Sequence, residues 1–179
     1  GNTWQTAEQN SLATMYTGTS NNGFFEFPAS GSASLNAWAL FMVMKWGTVE
    51  GSNAAMTLFN SSDQIEIQVF RASGGEVNVN LGNSDMSLTS TTTIDDADGY
   101  AIVTVEFDAA GDSGELYING TSEDTATGTR GTAANMRYLG YGSTDDSYIG
   151  ETILVGSSAL LSASDLGDVH TYLGDKWNL

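Results

Sequence analysis

The sequence predicts an all-β protein: an antiparallel jelly-roll β-sandwich with a short C-terminal helix. Short segments in which apolar and polar residues alternate recur along the chain, separated by turn-forming Gly, Asn, Asp and Ser. This pattern is typical of strands joined by hairpins. Apolar residues at helical spacing over a longer stretch occur near the C-terminus, from Leu166 to Trp177. Many short strands with one terminal helix indicate a sandwich.

The clearest element is the hairpin between Tyr100 and Gly120. Its first strand has one apolar face, formed by Ala101, Val103, Val105 and Phe107. Leu116 and Ile118 form the apolar face of the second strand. The segment 108–114 between them is rich in Asp, Gly and Ser, which favour chain reversal, and Asn119-Gly120 is a tight-turn signal.

The N-terminal third of the chain contains one short and one long predicted strand. Residues 1–23 are polar, rich in Thr, Asn and Ser, and have few apolar anchors. Phe24 to Phe27 predicts a short strand that ends at Pro28, which lacks a backbone donor. The run AWALFMVMKW from Ala37 to Trp46 is apolar on both alternating faces. It therefore predicts a central strand that is covered on both sides.

The middle of the chain predicts a second hairpin with one solvent-exposed face. Strands are expected at Leu58-Phe59, Gln64–Arg71 and Val77–Leu81, with a turn at Gly74-Gly75. The segments 82–99 and 121–135 are rich in Ser, Thr, Asp and Gly, so loops are predicted there. Two further strands are predicted at Arg137–Tyr141 and Tyr148–Val155.

The C-terminal segment predicts a helix that packs onto the sandwich. Ser162 and Asp165 have capping-box-like spacing. The apolar stripe that would face the body consists of Leu166, Val169, Leu173 and Trp177. Gly167 and Gly174 each weaken a helix by up to about 1 kcal/mol relative to Ala, so a short helix that depends on packing is expected.

Composition limits the domain organisation and the partners. A chain of 179 residues, 40% hydrophobic, is expected to form a single domain over residues 1–179. It contains no Cys, and its formal net charge of -17 would repel the phosphates of nucleic acid and anionic lipid headgroups. We therefore expect no nucleic-acid partner, and no membrane insertion because the sequence has no long apolar run. The first residues lack the features of a secretory signal.

Several segments resemble one known family. They are Trp38 to Trp46, Leu58-Phe59, Tyr100 to Asp108, GELYING from Gly114 to Gly120, Tyr138 to Gly140, Tyr148 to Val155, Leu160 to Leu166, and YLGDKWNL from Tyr172 to Leu179. On these segments the sequence resembles the laminin-G-like, concanavalin A-like lectin and glucanase superfamily of jelly-roll domains. Tyr100 stands where that family usually has Trp before the hairpin strand.

The resemblance implies a fold that lectins, adhesion modules, glycosidases and domains of bacterial surface and phage virion proteins share, so it leaves function open. We expect a non-catalytic lectin-like adhesion or glycan-recognition module on an extracellular or virion surface. Its partner would be a glycan or a scaffold protein, and its affinity would depend on multivalent display or a homo-oligomer. The alternatives are a structural decoration or assembly subunit without a glycan ligand, and a glycan hydrolase or lyase with an unrecognised site.

The residues needed for catalysis are not visible in the sequence, so no enzyme is predicted. Glucanases that the family includes carry a Glu-x-Asp-x-x-Glu strand, and this chain has no such spacing. With one His, His170, and no Cys, nucleophile systems based on Ser/His or Cys/His have few possible members.

Two acidic clusters are candidate calcium ligands, because hard cations prefer oxygen donors. They comprise Asp95, Asp96 and Asp98 in one loop and Asp145 with Asp146 in another. The alternative for each cluster is a solvated acidic loop.

Glycan binding requires exposed aromatic rings with polar groups beside them. Alternation places three aromatic residues, Phe70, Tyr100 and Tyr117, away from the predicted core. Asn78, Asn80 and Asn119 are the candidate hydrogen-bonding residues beside them. The alternative is that these aromatic residues stabilise the sheet as cross-strand pairs, or cover an interface.

Overall fold

The computed structural model confirms the all-β sandwich with one C-terminal helix among the elements it describes. It describes residues 3–9, 12–17, 23–26, 37–47, 54–60, 65–82, 85–95, 97–108, 111–128, 136–141, 147–157 and 159–179. The strands are β1 (Thr3–Gln9), β2 (Leu12–Thr17), β3 (Gly23–Glu26), β4 (Ala37–Trp46), β5 (Ala54–Asn60), β6 (Ile65–Arg71), β7 (Glu76–Leu81), β8 (Met86–Thr93), β9 (Ala101–Asp108), β10 (Ser113–Ile118), β11 (Thr121–Thr127), β12 (Met136–Tyr141) and β13 (Ser147–Ser157). The helix α1 spans Ala163–Trp177.

The strands form two antiparallel sheets. The seven-stranded sheet has the order β1-β2-β13-β4-β9-β10-β11, and the six-stranded sheet has the order β3-β12-β5-β6-β7-β8. Neighbours in both orders pair antiparallel. Strands that are distant in sequence thus lie side by side: β4, for example, lies between β13 and β9. This arrangement is expected of a jelly roll.

The main core lies between the two sheets. Alternate residues of β4, from Trp38 to Trp46, pack there against the inward faces of β9 and β10 and of β6, β7 and β8. The Trp38 and Phe107 rings stack at 5.4 Å between centroids. Side chains in the main core are almost fully buried, so this layer supplies most of the apolar burial that stabilises the domain.

A second, smaller core lies between the outer face of the seven-stranded sheet and α1. Its buried members are Ala39, Phe41, Val43, Ile102, Leu173 and Trp177. Because α1 covers this side, β4 is buried on both faces, which confirms the prediction made from its uninterrupted apolar run. The fit is close at Gly150, where an added Cβ would lie 2.4 Å from the Trp177 ring.

Both ends of α1 are capped. The Ser162 Oγ accepts a hydrogen bond from the Asp165 backbone N–H at 3.1 Å, as the capping-box-like spacing predicted. Asn178 adopts a left-handed conformation at φ 57°, and the Leu179 N–H donates to the Gly174 carbonyl. These contacts help a helix that contains two glycines to reach 15 residues.

Three segments differ from the sequence-based prediction. The segments 82–99 and 121–135 were predicted as loops, but they contain β8 and β11. The polar segment 1–23, where no strand was predicted, contains β1 and β2. In β8, Met86 and Leu88 face the core and alternate with exposed Ser and Thr. Thr readily occupies strands, so a Ser- and Thr-rich composition did not indicate a loop here.

Carboxylates join the two sheets along one edge of the sandwich. Strand β11 ends the seven-stranded sheet beside β8, which ends the six-stranded sheet. Glu123 accepts hydrogen bonds from the Thr91 N–H at 2.9 Å and the Thr92 hydroxyl at 2.7 Å, and Asp124 accepts one from the Thr89 N–H at 2.8 Å. We call Glu123 and Asp124 the edge carboxylates. They occupy backbone donors of β8 that an edge strand otherwise leaves unpaired.

Candidate functional site

The outer face of the six-stranded sheet presents a block of uncharged polar side chains with one aromatic ring. Three adjacent strands contribute two cross-strand rows, Gln68–Asn80–Ser87 and Phe70–Asn78–Thr89. We call these six residues the amide face. The neighbouring residues of β6 and β7 point into the core, so all six side chains point outward.

Hydrogen bonds orient the amides of this face. The Thr89 hydroxyl donates to Asn78 Oδ1 at 2.6 Å, and the Ser87 hydroxyl donates to Asn80 Oδ1 at 2.8 Å. Each amide oxygen therefore has a partner on β8, while no side chain or backbone group in the described part of the chain accepts a hydrogen bond from the two NH₂ groups. The Phe70 ring lies beside Asn78, its cross-strand neighbour, and is only partly buried. An apolar ring beside amide donors is a surface that can bind a ligand with both apolar and polar parts.

The six residues predicted to bind a glycan are divided between two faces. Phe70, Asn78 and Asn80 lie on the amide face. Tyr100, Tyr117 and Asn119 belong instead to the β9–β10 region of the seven-stranded sheet. The two groups cannot contact the same small ligand, because the main core separates the two sheets.

Tyr100 and Asn119 have structural contacts. The Tyr100 ring lies 6.2 Å from the Trp177 ring, and Lys45 Nζ lies 5.2 Å from its centroid. Asn119, at φ 51°, accepts a hydrogen bond from the Ile102 N–H through Oδ1 and donates its own N–H to the Ile102 carbonyl. It forms with Gly120, at φ 79°, the tight turn that the sequence predicted.

A shallow groove opens on the outer face of the seven-stranded sheet. It has a volume of ≈ 110 Å³ and crosses β9, β10 and β11. It is lined by Glu106, Ser113, Gly114, Glu115, Thr125, Ala126, Thr127 and Leu160. We call it the carboxylate groove, because Glu106 and Glu115 are directly opposite each other in the β9–β10 register. Two like charges at such positions destabilise a sheet unless something compensates them.

Glu106 is the most unusual side chain of the groove. It is only 6% exposed, and its Oε1 has no hydrogen-bond partner within the described part of the chain. Its Oε2 accepts a hydrogen bond from the Tyr117 hydroxyl at 3.1 Å. Burial raises the pKa of Glu106, and the Glu115 carboxylate raises this pKa further. Burial and the two carboxylates likewise raise the pKa of Tyr117, which stays a neutral donor.

The sequence-based prediction missed the pairing of Glu106 with Glu115. The two glutamates lie on different strands, so no spacing within one strand reveals them. The hairpin register, once Asp108 is paired with Ser113, places Glu106 and Glu115 across from each other. Glu106-Phe107-Asp108 also matches the first half of the Glu-x-Asp-x-x-Glu pattern, but Gly111 stands at the position of its last Glu.

His170 lies on α1 over the same sheet face. Its Nε2 is 2.8 Å from the Thr104 hydroxyl, and its ring contacts Phe41 edge-on at 5.5 Å between centroids. Burial lowers the pKa of His170, which favours the neutral imidazole. The Tyr117 ring lies 6.3 Å away. These contacts place His170 at the boundary between the helix and the carboxylate groove, in a packing role.

The first acidic cluster forms a hydrogen-bonded turn. Asp95 Oδ1 accepts from the Ala97 N–H at 2.9 Å, and Asp98 Oδ2 accepts from the Thr93 hydroxyl at 2.7 Å. Asp96, Asp145 and Asp146 lie outside the described residues. Among the residues that are described, no group of three or more Asp, Glu, His or Cys side chains could hold a metal ion. Calcium binding at these clusters stays a prediction.

Solved structures share the fold at very low sequence identity. The binding domain of Paraclostridial Mosquitocidal Protein 1 has a TM-score of 0.74 and 9% identity over 97% of this chain and 46% of its own. The binding domain of botulinum neurotoxin serotype D has a TM-score of 0.71 and 13% identity over 96% of this chain and 45% of its own. A Trypanosoma rangeli sialidase, solved with the inhibitor DANA, has a TM-score of 0.65 and 10% identity over 94% of this chain and 29% of its own.

These likenesses show the fold, a lectin-like β-sandwich of the jelly-roll class. The chain spans less than half the length of each of these three structures. No family model and no curated protein matches the sequence. In the part of the chain that the structure describes, no helix has both the length and the apolar character needed to cross a membrane.

Proposed function

We propose that this chain is a non-catalytic carbohydrate-binding domain of the concanavalin A-like and laminin-G-like type, and that the amide face binds the glycan. The observation that carries the proposal is the block of six uncharged outward side chains on β6, β7 and β8. The whole chain has 22 acidic and five basic residues, so an exposed block without charge is a distinct surface.

The chemistry of the amide face suits a neutral sugar. A pyranose has apolar C–H faces and a rim of hydroxyls, and the Phe70 ring with the Asn78 and Asn80 amides offers a complement to each. The net charge of -17 opposes binding of an anionic glycan. The binding domain of botulinum neurotoxin DC, which shares the fold, was solved in complex with SialylT and in complex with rat synaptotagmin II, which supports glycans and proteins as partner classes.

We expect weak binding by each copy of the amide face. A few hydrogen bonds to solvent-exposed groups contribute about 0.5–1.5 kcal/mol each. Useful affinity would then come from several copies displayed together on an extracellular or virion surface. The competing proposal, a decoration or assembly subunit, would use the same uncharged face to contact another copy or a scaffold protein.

The test is a glycan array of neutral and anionic oligosaccharides, probed with the wild-type chain and with Phe70→Ala, Asn78→Ala and Tyr172→Ala. We expect binding to neutral glycans that Phe70→Ala and Asn78→Ala abolish. Tyr172→Ala is the matched control, because Tyr172 is 48% exposed on α1, away from the amide face. Loss of binding in Tyr172→Ala but not in Phe70→Ala would contradict the assignment of the site.

Two further measurements separate the alternatives. Sedimentation of the wild-type chain and of Phe70→Ala reports self-association. A wild-type oligomer that Phe70→Ala dissociates, without glycan binding, would favour the assembly subunit. Incubation with the bound glycan and detection of new reducing ends reports hydrolysis, and turnover that Glu106→Gln abolishes would overturn the non-catalytic assignment.

A further inference from the structure

We propose that the amide face selects neutral glycans that carry acetamido groups, and that Ser87 and Thr89 are positioning residues for this selection. The inference rests on the proposed function, because it concerns the same surface. It goes beyond that function by naming the group of the sugar that the Asn78 and Asn80 amides bind, and the two hydroxyls that orient these amides.

The first argument is the orientation of the two amides. The Thr89 hydroxyl lies 2.6 Å from Asn78 Oδ1, and the Ser87 hydroxyl lies 2.8 Å from Asn80 Oδ1. Distances of this length are usual when a hydroxyl donates to an oxygen, whereas an N–H donor usually lies about 2.9–3.0 Å from its acceptor. The oxygen of each amide is therefore the atom that bonds β8, and the NH₂ group is the part left for a ligand.

The second argument is the balance of donors and acceptors. Each Asn NH₂ group has two N–H donors, and no described group of the chain accepts from those of Asn78 or Asn80. The oxygens of the same two amides, in contrast, each already accept a hydroxyl proton. Gln68 contributes one donor group and one acceptor, so it leaves this balance unchanged. The face therefore favours a ligand group that accepts hydrogen bonds and has apolar surface beside its acceptor.

An acetamido group has both properties. Its carbonyl oxygen has two lone pairs and no proton, and its methyl group is apolar. The methyl group would contact the half-buried Phe70 ring, while the carbonyl accepts from Asn78, the cross-strand neighbour of Phe70. A sugar hydroxyl, in contrast, carries a proton and has no apolar part of its own.

Charge favours this neutral carbonyl over a carboxylate, which is also an acceptor without a proton. Asp124 accepts a hydrogen bond from the Thr89 N–H at 2.8 Å, so it places a negative charge at the β8 border of the amide face. The net charge of the whole chain is -17. Both oppose a carboxylate on the ligand and leave an uncharged acetamido group unaffected.

The spacing of the two amides indicates a ligand with more than one sugar unit. Asn78 and Asn80 lie two residues apart on one face of β7, which corresponds to about 6.8 Å along the strand. One carbonyl oxygen cannot bond two donors so far apart. Both amides are therefore used at once only by an oligosaccharide that has acceptors on neighbouring units.

The test is an NMR-detected titration of the full chain with three neutral probes. They are an N-acetylglucosamine tetramer, cellotetraose of the same length, and the peptide acetyl-tetraglycine amide. We expect the N-acetylated tetramer to bind about threefold to tenfold more tightly than cellotetraose, which is the contribution of about one hydrogen bond. Asn78→Asp, which replaces the NH₂ donor by an acceptor of similar shape, should abolish this preference.

The positioning role is tested with a pair of variants at one position. Thr89→Val removes the hydroxyl that orients Asn78 but keeps a β-branched side chain, and the preference for the N-acetylated tetramer should fall below about twofold. Thr89→Ser keeps the hydroxyl and should retain the preference. Tyr172→Ala, on α1, is the control that should change neither affinity nor preference. Unchanged unfolding midpoints would show that each variant is folded.

The contrary outcomes separate this inference from the proposed function. If both tetramers bind equally and Phe70→Ala abolishes both, the acetamido preference is overturned while the glycan site stands. Equal binding of the acetylated peptide would overturn selection of a sugar, since the acceptor would then come from a protein. A preference that persists in Thr89→Val would overturn the positioning role. If the N-acetylated tetramer does not bind, the inference is wrong whichever other glycans the array detects.

Discussion

The outer faces of the two sheets have opposite chemistry. The outer face of the six-stranded sheet presents a block of amides and hydroxyls with one ring. The outer face of the seven-stranded sheet is apolar at one end, where α1 covers it, and acidic at the other, where Glu106 and Glu115 lie. Strand alternation produces both faces, and α1 packs against the outer face of the seven-stranded sheet. Glu106 is buried on that face, whereas the six side chains of the amide face are partly buried or exposed.

Removal of the contact between α1 and the seven-stranded sheet should have the largest effect on the free energy of unfolding. Trp177 is 2% exposed between α1 and the sheet, and Trp177→Ala should lower the free energy of unfolding by about 3–5 kcal/mol. Urea unfolding at pH 7 measures this value. Tyr172→Ala on the same helix is the matched control and should cost less than about 1 kcal/mol. Equal losses in the two variants would show that α1 is not held by its buried stripe.

Disruption of the edge between the sheets should have the next largest effect. Glu123→Ala removes the carboxylate that accepts hydrogen bonds from the Thr91 N–H and the Thr92 hydroxyl. This substitution should lower the free energy of unfolding by about 1–3 kcal/mol. The hydrogen bond from the Thr91 hydroxyl is the main cause of the lowered pKa of Glu123. The contribution of Glu123 should be complete above the unfolded-state pKa and lost as the pH falls through the lowered folded-state value. The free energy of unfolding should therefore decrease less on acidification in Glu123→Gln than in the wild type.

Neutralising the groove should instead stabilise the protein. Glu106→Gln keeps the shape and the acceptor for the Tyr117 hydroxyl but removes a charge opposite Glu115. We expect a gain of about 0.2–1 kcal/mol at pH 7. Because burial raises the pKa of Glu106, its destabilising effect should appear as the pH rises through that folded-state pKa. A stability loss on substitution, measured by urea unfolding at pH 5 and 8, would contradict this account.

The exposed ion pair beside the helix should matter least. Lys176 Nζ lies 2.9 Å from Glu151, but the Lys176 side chain is 37% exposed. Lys176→Met should lower the free energy of unfolding by less than about 0.5 kcal/mol, since solvent screens such pairs. Thermal unfolding in low and high salt checks this expectation. A larger loss of stability in low salt that disappears in high salt would show that the ion pair is stronger than its exposure indicates.

The sequence predicted the buried parts of the fold better than its edges. The run from Ala37 to Trp46 and the helix cap at Ser162 were predicted correctly, because burial on both faces and capping leave local patterns. Strands β8 and β11 were missed, because edge strands rich in Thr and Ser resemble loops in composition. The pairing of Glu106 with Glu115 was missed because it depends on hairpin register across two strands, and no spacing within one strand reveals it.

The edge carboxylates also affect how copies of this domain can meet. An open edge strand invites strand addition from a second molecule, which begins β-polymerisation. Here the donors of Thr89, Thr91 and Thr92 are already bound by Glu123 and Asp124. An incoming strand would have to displace two carboxylates and leave their negative charges beside its own backbone. Crowded copies of this domain would thus remain separate units along the β8 edge, where two carboxylates would oppose the addition of a strand.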